Sequence, residues 1–177
     1  MPWNQPHGKE LRKGRFSESG LIYLITTCCV ERNRFFDRVD LGEIVEDEMR
    51  KSDTAKTTRT LAFVVMPDHL HWMIELLAGD DLPSVVRRVK GRSAHRINRM
   101  VGRTGRIWQP GYHDRALRNE EDLEAVGNYV IYNPVRAGIV QTIHDYPLWD
   151  AIWINRNRSA DDLGSQRVRY ERDQARF

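Results

Sequence analysis

The chain has 177 residues, of which 40% are hydrophobic and 30% charged, and its formal net charge is +3. That length and balance describe one soluble globular domain with a short tail, large enough to bury a core without disulfides or a structural metal. The longest apolar runs, such as 61–66, are strand-length and far too short to cross a membrane, and the N-terminus is polar. A cytoplasmic protein with no membrane partner is therefore expected.

The elements follow in chain order. Residues 1–19 read as an irregular basic arm. Residues 21–30 are apolar and rich in β-branched side chains, the composition of a strand. The two cysteines, Cys28 and Cys29, are neighbours there and point to opposite faces of a strand, so they are expected to be reduced thiols rather than a bridge or a metal pair. Residues 41–51 place Leu41, Ile44, Val45 and Met49 at helical spacing, with Asp40 as the expected N-cap. Residues 57–66 and 69–77 read as two strands broken by Pro67-Asp68, an antiparallel pair.

After a turn at 78–81, residues 82–100 form a helix with Val85, Val86, Val89 and Ile97 inward; Gly91 near its centre is expected to weaken or bend it. No Asp or Glu occurs between Leu82 and His113, whereas Arg87, Arg88, Lys90, Arg92, Arg96, Arg99, Arg103 and Arg106 do. Such a block is the footprint of a phosphate-bearing partner, or a solvated basic helix face. Residues 107–118 hold a fourth, irregular strand. Asn119 is the expected cap of a helix running to about Asn133, where Pro134 is expected to stop it. Residues 151–177 read as a polar, basic tail. The order is βαββαβ with one further helix: an α+β, ferredoxin-like or RRM-like sandwich with a central antiparallel sheet and an open face suited to nucleic acid. The domain itself is expected to span 20–150.

The chemistry concentrates on the third strand. Alternation puts Leu70, Trp72, Ile74 and Leu76 on one face, wholly apolar, and His69, His71, Met73 and Glu75 on the other. Two histidines at i and i+2 set two imidazoles side by side, able to grip one divalent ion, although His-x-His alone is a weak motif. In the last helix Tyr129 and Asn133 lie four residues apart on one face. Tyrosine offers a hydroxyl nucleophile and asparagine a hard carbonyl oxygen. Two imidazoles and an amide leave open coordination positions for phosphate oxygens. A phenol ionises near pH 10 and needs activation. Its attack on phosphorus gives a phosphotyrosine that conserves the phosphodiester energy, so DNA can be rejoined without ATP.

Met66-Pro67-Asp68-His69-Leu70-His71 resembles the His-hydrophobe-His signature of HUH single-strand transposases. The run from Trp108 to Arg118, followed by Tyr129-Val130-Ile131-Tyr132-Asn133-Pro134-Val135-Arg136-Ala137-Gly138, is similar to the REP-associated tyrosine transposases. The similarity covers roughly residues 15–150. It implies an RRM-like HUH domain with an added C-terminal catalytic helix. It implies Tyr129 as catalytic tyrosine, His69, His71 and Asn133 as metal ligands, and Mg²⁺ or Mn²⁺ as the ion. The implied substrate is single-stranded DNA in a REP hairpin, cut to leave a 5′ phosphate on the tyrosine, by a monomer or homodimer.

Other residues follow from these. Tyr132 is the competing nucleophile. Arg87, Arg88, Lys90, Arg92 and Arg96 are placed to track phosphates, and Trp108 and Tyr112 to stack on bases, with Trp108 fitting a core position equally well. Glu75 is a candidate to orient an imidazole, or a plain surface residue. Two other readings are a non-catalytic nucleic-acid regulator on the same fold and a phosphodiesterase that uses water.

Overall fold

The computed structural model describes residues 17–118 and 122–154. Its strands are β1 (Ile22–Cys28), β2 (Thr58–Met66), β3 (His69–Leu76), β4 (His113–Ala116) and β5 (Trp149–Ala151). Its helices are α1 (Val39–Thr54), α2 (Leu82–Val101), α3 (Leu123–Ile131) and the short α4 (Asn133–Arg136). The strands form one sheet in the order β4-β1-β3-β2-β5, antiparallel throughout. The first four are the strand order of the expected βαββαβ sandwich. Among the described residues no helix is long and apolar enough to cross a membrane.

Alternation explains the two faces. Leu70, Trp72, Ile74 and Leu76 are at most 1% exposed, and Tyr23, Ile25 and Thr27 stand beside them across β1. This face packs on α1 and α2, whose buried Leu41, Val45, Met49, Val85, Val86, Val89 and Ile97 complete the core. An extra residue in β2, between Thr60 and Ala62, shifts the register. Thr60 therefore stays on the core side, where it accepts the Trp72 indole N–H at 3.0 Å, while Ala62, Val64 and Met66 turn to the histidine side.

Several local expectations are corrected. Asp40 does not cap α1: Arg38 holds that position, and the Asp40 carboxylate pairs with Arg38 inside the first turn. Asp81 caps α2, accepting the Ser84 N–H at 2.7 Å, and Gly102 ends it in the left-handed region at φ 65°. Gly91 does not break α2, which runs continuously for 20 residues, although glycine there costs about 1 kcal/mol relative to alanine. Asp122 caps α3, accepting the Ala125 N–H at 3.0 Å; the expected cap Asn119 lies outside the described residues. Pro134 does not end the helical run. It falls in the first turn of α4, where a missing N–H leaves no bond unmade, and the chain passes from α3 to α4 through Tyr132.

The histidine face is not open across its width. Its β2 side carries α3, whose Gly127 approaches Ala62 closely. A side chain at Gly127 has no room: its Cβ would stand 2.2 Å from the Trp153 ring. Trp153 in turn donates its indole N–H to Asn128 at 2.9 Å. The expected boundary at 150/151 thus cuts β5, and the domain extends at least to Ile154, which is 7% exposed. Within the basic arm, Ser17 and Glu18 are already tied to the domain, Ser17 Oγ accepting the Leu82 N–H and the Glu18 N–H reaching the Tyr23 hydroxyl. The rest of the arm and residues 155–177 lie outside the described residues.

Candidate active site

His69 and His71 project side by side from β3, and their Nε2 atoms stand 3.2 Å apart. The rings are nearly perpendicular, at 89°, with centroids 4.8 Å apart. Each ring is held at its other nitrogen. His69 Nδ1 lies 2.6 Å from Asp68 Oδ1, and His71 Nδ1 lies 2.9 Å from Thr26 Oγ1. Thr26 stands opposite His71 across the β1–β3 ladder, so register alone delivers it. With Asp68 accepting the Nδ1–H of His69, the Nε2 of that ring keeps its lone pair. Where His71 donates Nδ1–H to Thr26, both neighbouring Nε2 atoms keep their lone pairs, a donor pair of the kind a divalent cation accepts.

Burial keeps both imidazoles neutral. Burial pushes the His69 pKa down against the opposing pull of Asp68. The His71 pKa falls to about 3, mainly through burial, then through His69 and the positive charges of Arg136 and Arg32. Among the described residues no group of three or more His, Cys, Asp or Glu side chains converges to hold a metal. Tyr129 and Asn133 meet the histidines in one cavity of about 590 Å³, walled on the far side by Gln109–Tyr112. Tyr129 is 51% exposed. The Asn133 Nδ2 donates to Val130 O at 2.7 Å, and its Oδ1 accepts from Arg136 Nη2 at 2.7 Å. That oxygen keeps a second lone pair.

Two arginines, neither singled out by the sequence reading, stand at this site: Arg32 lines the cavity, and Arg136 contacts two of its lining residues, Tyr129 and Asn133. Arg136 reaches back from α4 to donate to Tyr129 O at 2.6 Å. Arg32 pairs with Asp68 at 2.9 Å and donates to Cys28 Sγ at 2.8 Å. A tight turn aims Arg32: Glu31 and Arg32 both have positive φ, 52° and 56°. Non-glycine residues adopt that region only where surrounding contacts hold them there, and such strain gathers at functional sites. Asp68, adjacent to His69, was within reach of sequence reasoning; Thr26, Arg32 and Arg136 needed the register, the turn and the α3–α4 bend.

Other expected site residues stand elsewhere. Tyr132, the competing nucleophile of the sequence reading, is only 8% exposed and packs into the core. Trp108 is 6% exposed, lies against Phe36 and donates to Ser93 Oγ at 3.0 Å; it is a core residue and not a base-stacking platform. Glu75 pairs with Arg59 at 2.8 Å, four residues beyond His71, and orients neither imidazole. Arg96 bridges α2 to Asp47 and Glu48 of α1 at 2.9 and 2.7 Å, and Arg88 pairs with Asp80, so both serve the fold. Lys90 donates to the carbonyl oxygens of Gln109 and Gly111, which fixes the cavity wall. Arg87 and Arg92 are exposed on α2, and Tyr112 lines the cavity half-buried.

Comparison with known proteins places the chain among its relatives. A REP-associated tyrosine transposase of Escherichia coli (strain K12) is 34% identical over 87 residues, covering 49% of this chain and 50% of that protein. The ISDra2 transposase TnpA of Deinococcus radiodurans is 27% identical over 114 residues, covering 58% and 77%. The chain spans about half the length of the first curated relatives it matches. Among solved structures, a REP-associated tyrosine transposase bound to a REP hairpin superimposes with a TM-score of 0.63 at 25% identity, over 76% of this chain and 79% of that one. The model of the family described as "Transposase IS200 like" matches residues 17–133, from the first described residue through Asn133, and the chain belongs to that family.

Proposed function

We propose that this chain is a metal-dependent tyrosine nuclease and strand transferase that cuts and rejoins single-stranded DNA at the foot of a REP-type hairpin. One observation carries the reading: the Nε2 atoms of two neighbouring imidazoles stand 3.2 Å apart in a cavity that an exposed tyrosine and an asparagine also line. The hairpin substrate is drawn from the likeness to the hairpin-bound transposase.

The donor set of two imidazole nitrogens and one amide oxygen fits Mg²⁺ or Mn²⁺, with His69, His71 and Asn133 as the ligands and coordination positions left open. Bound there, the ion supplies Lewis-acid polarisation of the scissile phosphate and a template for its oxygens. The protein does the rest. Tyr129 presents its hydroxyl to phosphorus. The tyrosine O–P bond forms as the P–O3′ bond breaks; the phenol proton passes to solvent and the departing 3′ oxygen takes one up. The 5′ phosphate stays on Tyr129 until a 3′ hydroxyl reverses the exchange. Arg32 and Arg136 put positive charge around the phosphate, and Thr26 and Asp68 hold the two rings in the productive orientation.

The test is an SDS-resistant adduct between the protein and a labelled hairpin oligonucleotide in Mg²⁺ or Mn²⁺. Tyr129→Phe is expected to abolish it and to spare DNA binding. Adducts that persist in Tyr129→Phe would show that another residue is the nucleophile. Free 5′-phosphate products without adduct would make water the nucleophile, and hairpin binding without any cleavage would reduce the chain to a binding module.

A further inference from the structure

The segment Gln109–Tyr112 has two sides. One lines the cavity of His69, His71 and Tyr129; the other lines a second cavity, of about 600 Å³, between this segment and α2. The second cavity takes no part in the chemistry above. Its accessible walls are apolar at Pro83, Ala94 and Pro110, over the buried Val86 and Ile107, with the half-buried Tyr112 at the junction of the two cavities. Arg87 and Arg106 line it and are exposed, and among the described residues no Asp or Glu lines it.

Two features suggest that this groove is kept clear for an occupant. Gly91 lines it from the middle of α2, the position where glycine weakens a helix most. Packing does not require that glycine, because no heavy atom lies within 4 Å of the place its Cβ would take. What the missing side chain leaves is open space along the groove. In addition, Lys90 holds the dividing wall through the carbonyl oxygens of Gln109 and Gly111, so both sides of the wall have a fixed shape.

We infer that this groove binds a stretch of single-stranded nucleic acid that continues over the wall into the cavity of Tyr129. Cationic rims on apolar walls, with an aromatic ring at one end, match the combination that such strands need: guanidinium groups for phosphates, flat or apolar surface for bases. That the strand is continuous with the one being cut rests on the nuclease reading; the groove as a strand-binding site does not.

The experiment is fluorescence anisotropy with the full chain and a labelled oligothymidine of about 10 nucleotides, a length within the range such grooves cover. The variant Arg87→Ala/Arg106→Ala is expected to bind about 10-fold more weakly. Its slope of log affinity against log salt should shrink by about 1.4, the change for two lost phosphate contacts on a single strand. Arg38→Ala, before α1 and outside the groove lining, removes one positive charge and is expected to leave the slope unchanged. Gly91→Trp fills the groove without altering charge and should weaken binding as much as the double arginine variant; thermal melting checks that it folds. Full affinity and slope in the double arginine variant, or no binding by the unaltered chain, overturns the inference. The adduct assay reads the nuclease proposal separately. Adducts with an indifferent groove refute the groove alone, whereas a groove that binds without adducts refutes the nuclease alone.

Discussion

The guanidinium carbon of Arg136 lies 3.7 Å from the centroid of the Tyr129 ring. The same side chain donates to the Tyr129 carbonyl and to Asn133 Oδ1, at 2.6 and 2.7 Å. One cation thus spans the proposed nucleophile and the proposed third ligand. It ties them across the α3–α4 bend, where no single continuous helix does so.

Arg136 should therefore govern the rate of adduct formation more than the affinity for DNA. Arg136→Ala is expected to slow single-turnover adduct formation about 10–100-fold, in the range found when groups that orient metal ligands are removed. Arg136→Lys retains the charge but not the two-pronged hydrogen bonding and should recover only part of the loss. An Arg136→Ala protein with an unaltered adduct rate would show that the contact is ornamental.

Thr26 tests the orientation of His71 in isolation from any charge. Thr26→Val preserves the shape of the strand residue and deletes the hydroxyl 2.9 Å from His71 Nδ1. Titration calorimetry with Mn²⁺ is expected to show affinity reduced about 10-fold or more, with thermal stability little changed. Asp68→Asn should act the same way on His69, and its loss of charge also unpairs Arg32. Undiminished Mn²⁺ affinity in both variants would remove the metal role from this pair.

Acid should destabilise the metal-free protein through the same two histidines. Their folded pKa values lie below the ordinary value of 6.5, His71 at about 3. Between those pH values the unfolded chain binds more protons than the folded one, so the stability slope with pH is positive. The contribution is complete above about pH 6.5 and is lost progressively as pH falls toward 3, by a few kcal/mol in all. Urea melts of the unaltered chain and of His71→Ala across that window measure it; the variant should show a shallower decline. Parallel curves would mean that His71 protonates without cost in the folded state.

Much of this protein was legible in its linear order. Period-2 alternation in β3 separates Leu70, Trp72, Ile74 and Leu76 from His69 and His71, and the structure buries the first set and aims the second at the cavity. Helical spacing gives α1 and the inner face of α2, because local periodicity needs no knowledge of the partner surface. The motif spacing places Tyr129 and Asn133 together, and they do line one cavity with the histidines.

Charge and aromatic content were the poorer guides, since neither encodes what lies opposite. Arg96 and Arg88 look like phosphate hooks until Asp47, Glu48 and Asp80 are seen against them, and Trp108 looks like a stacking platform until Phe36 and Ser93 enclose it. β5 is only three residues long, too short to announce itself, and exists because β2 offers it an unpaired edge. What sequence alone determined is the set of groups able to do the chemistry, since alternation and helical period are properties of the backbone itself. Only the tertiary structure decided which groups meet, because Thr26, Arg32 and Arg136 reach the site through strand register, a strained turn and a bend between two helices, none of which has a local signature.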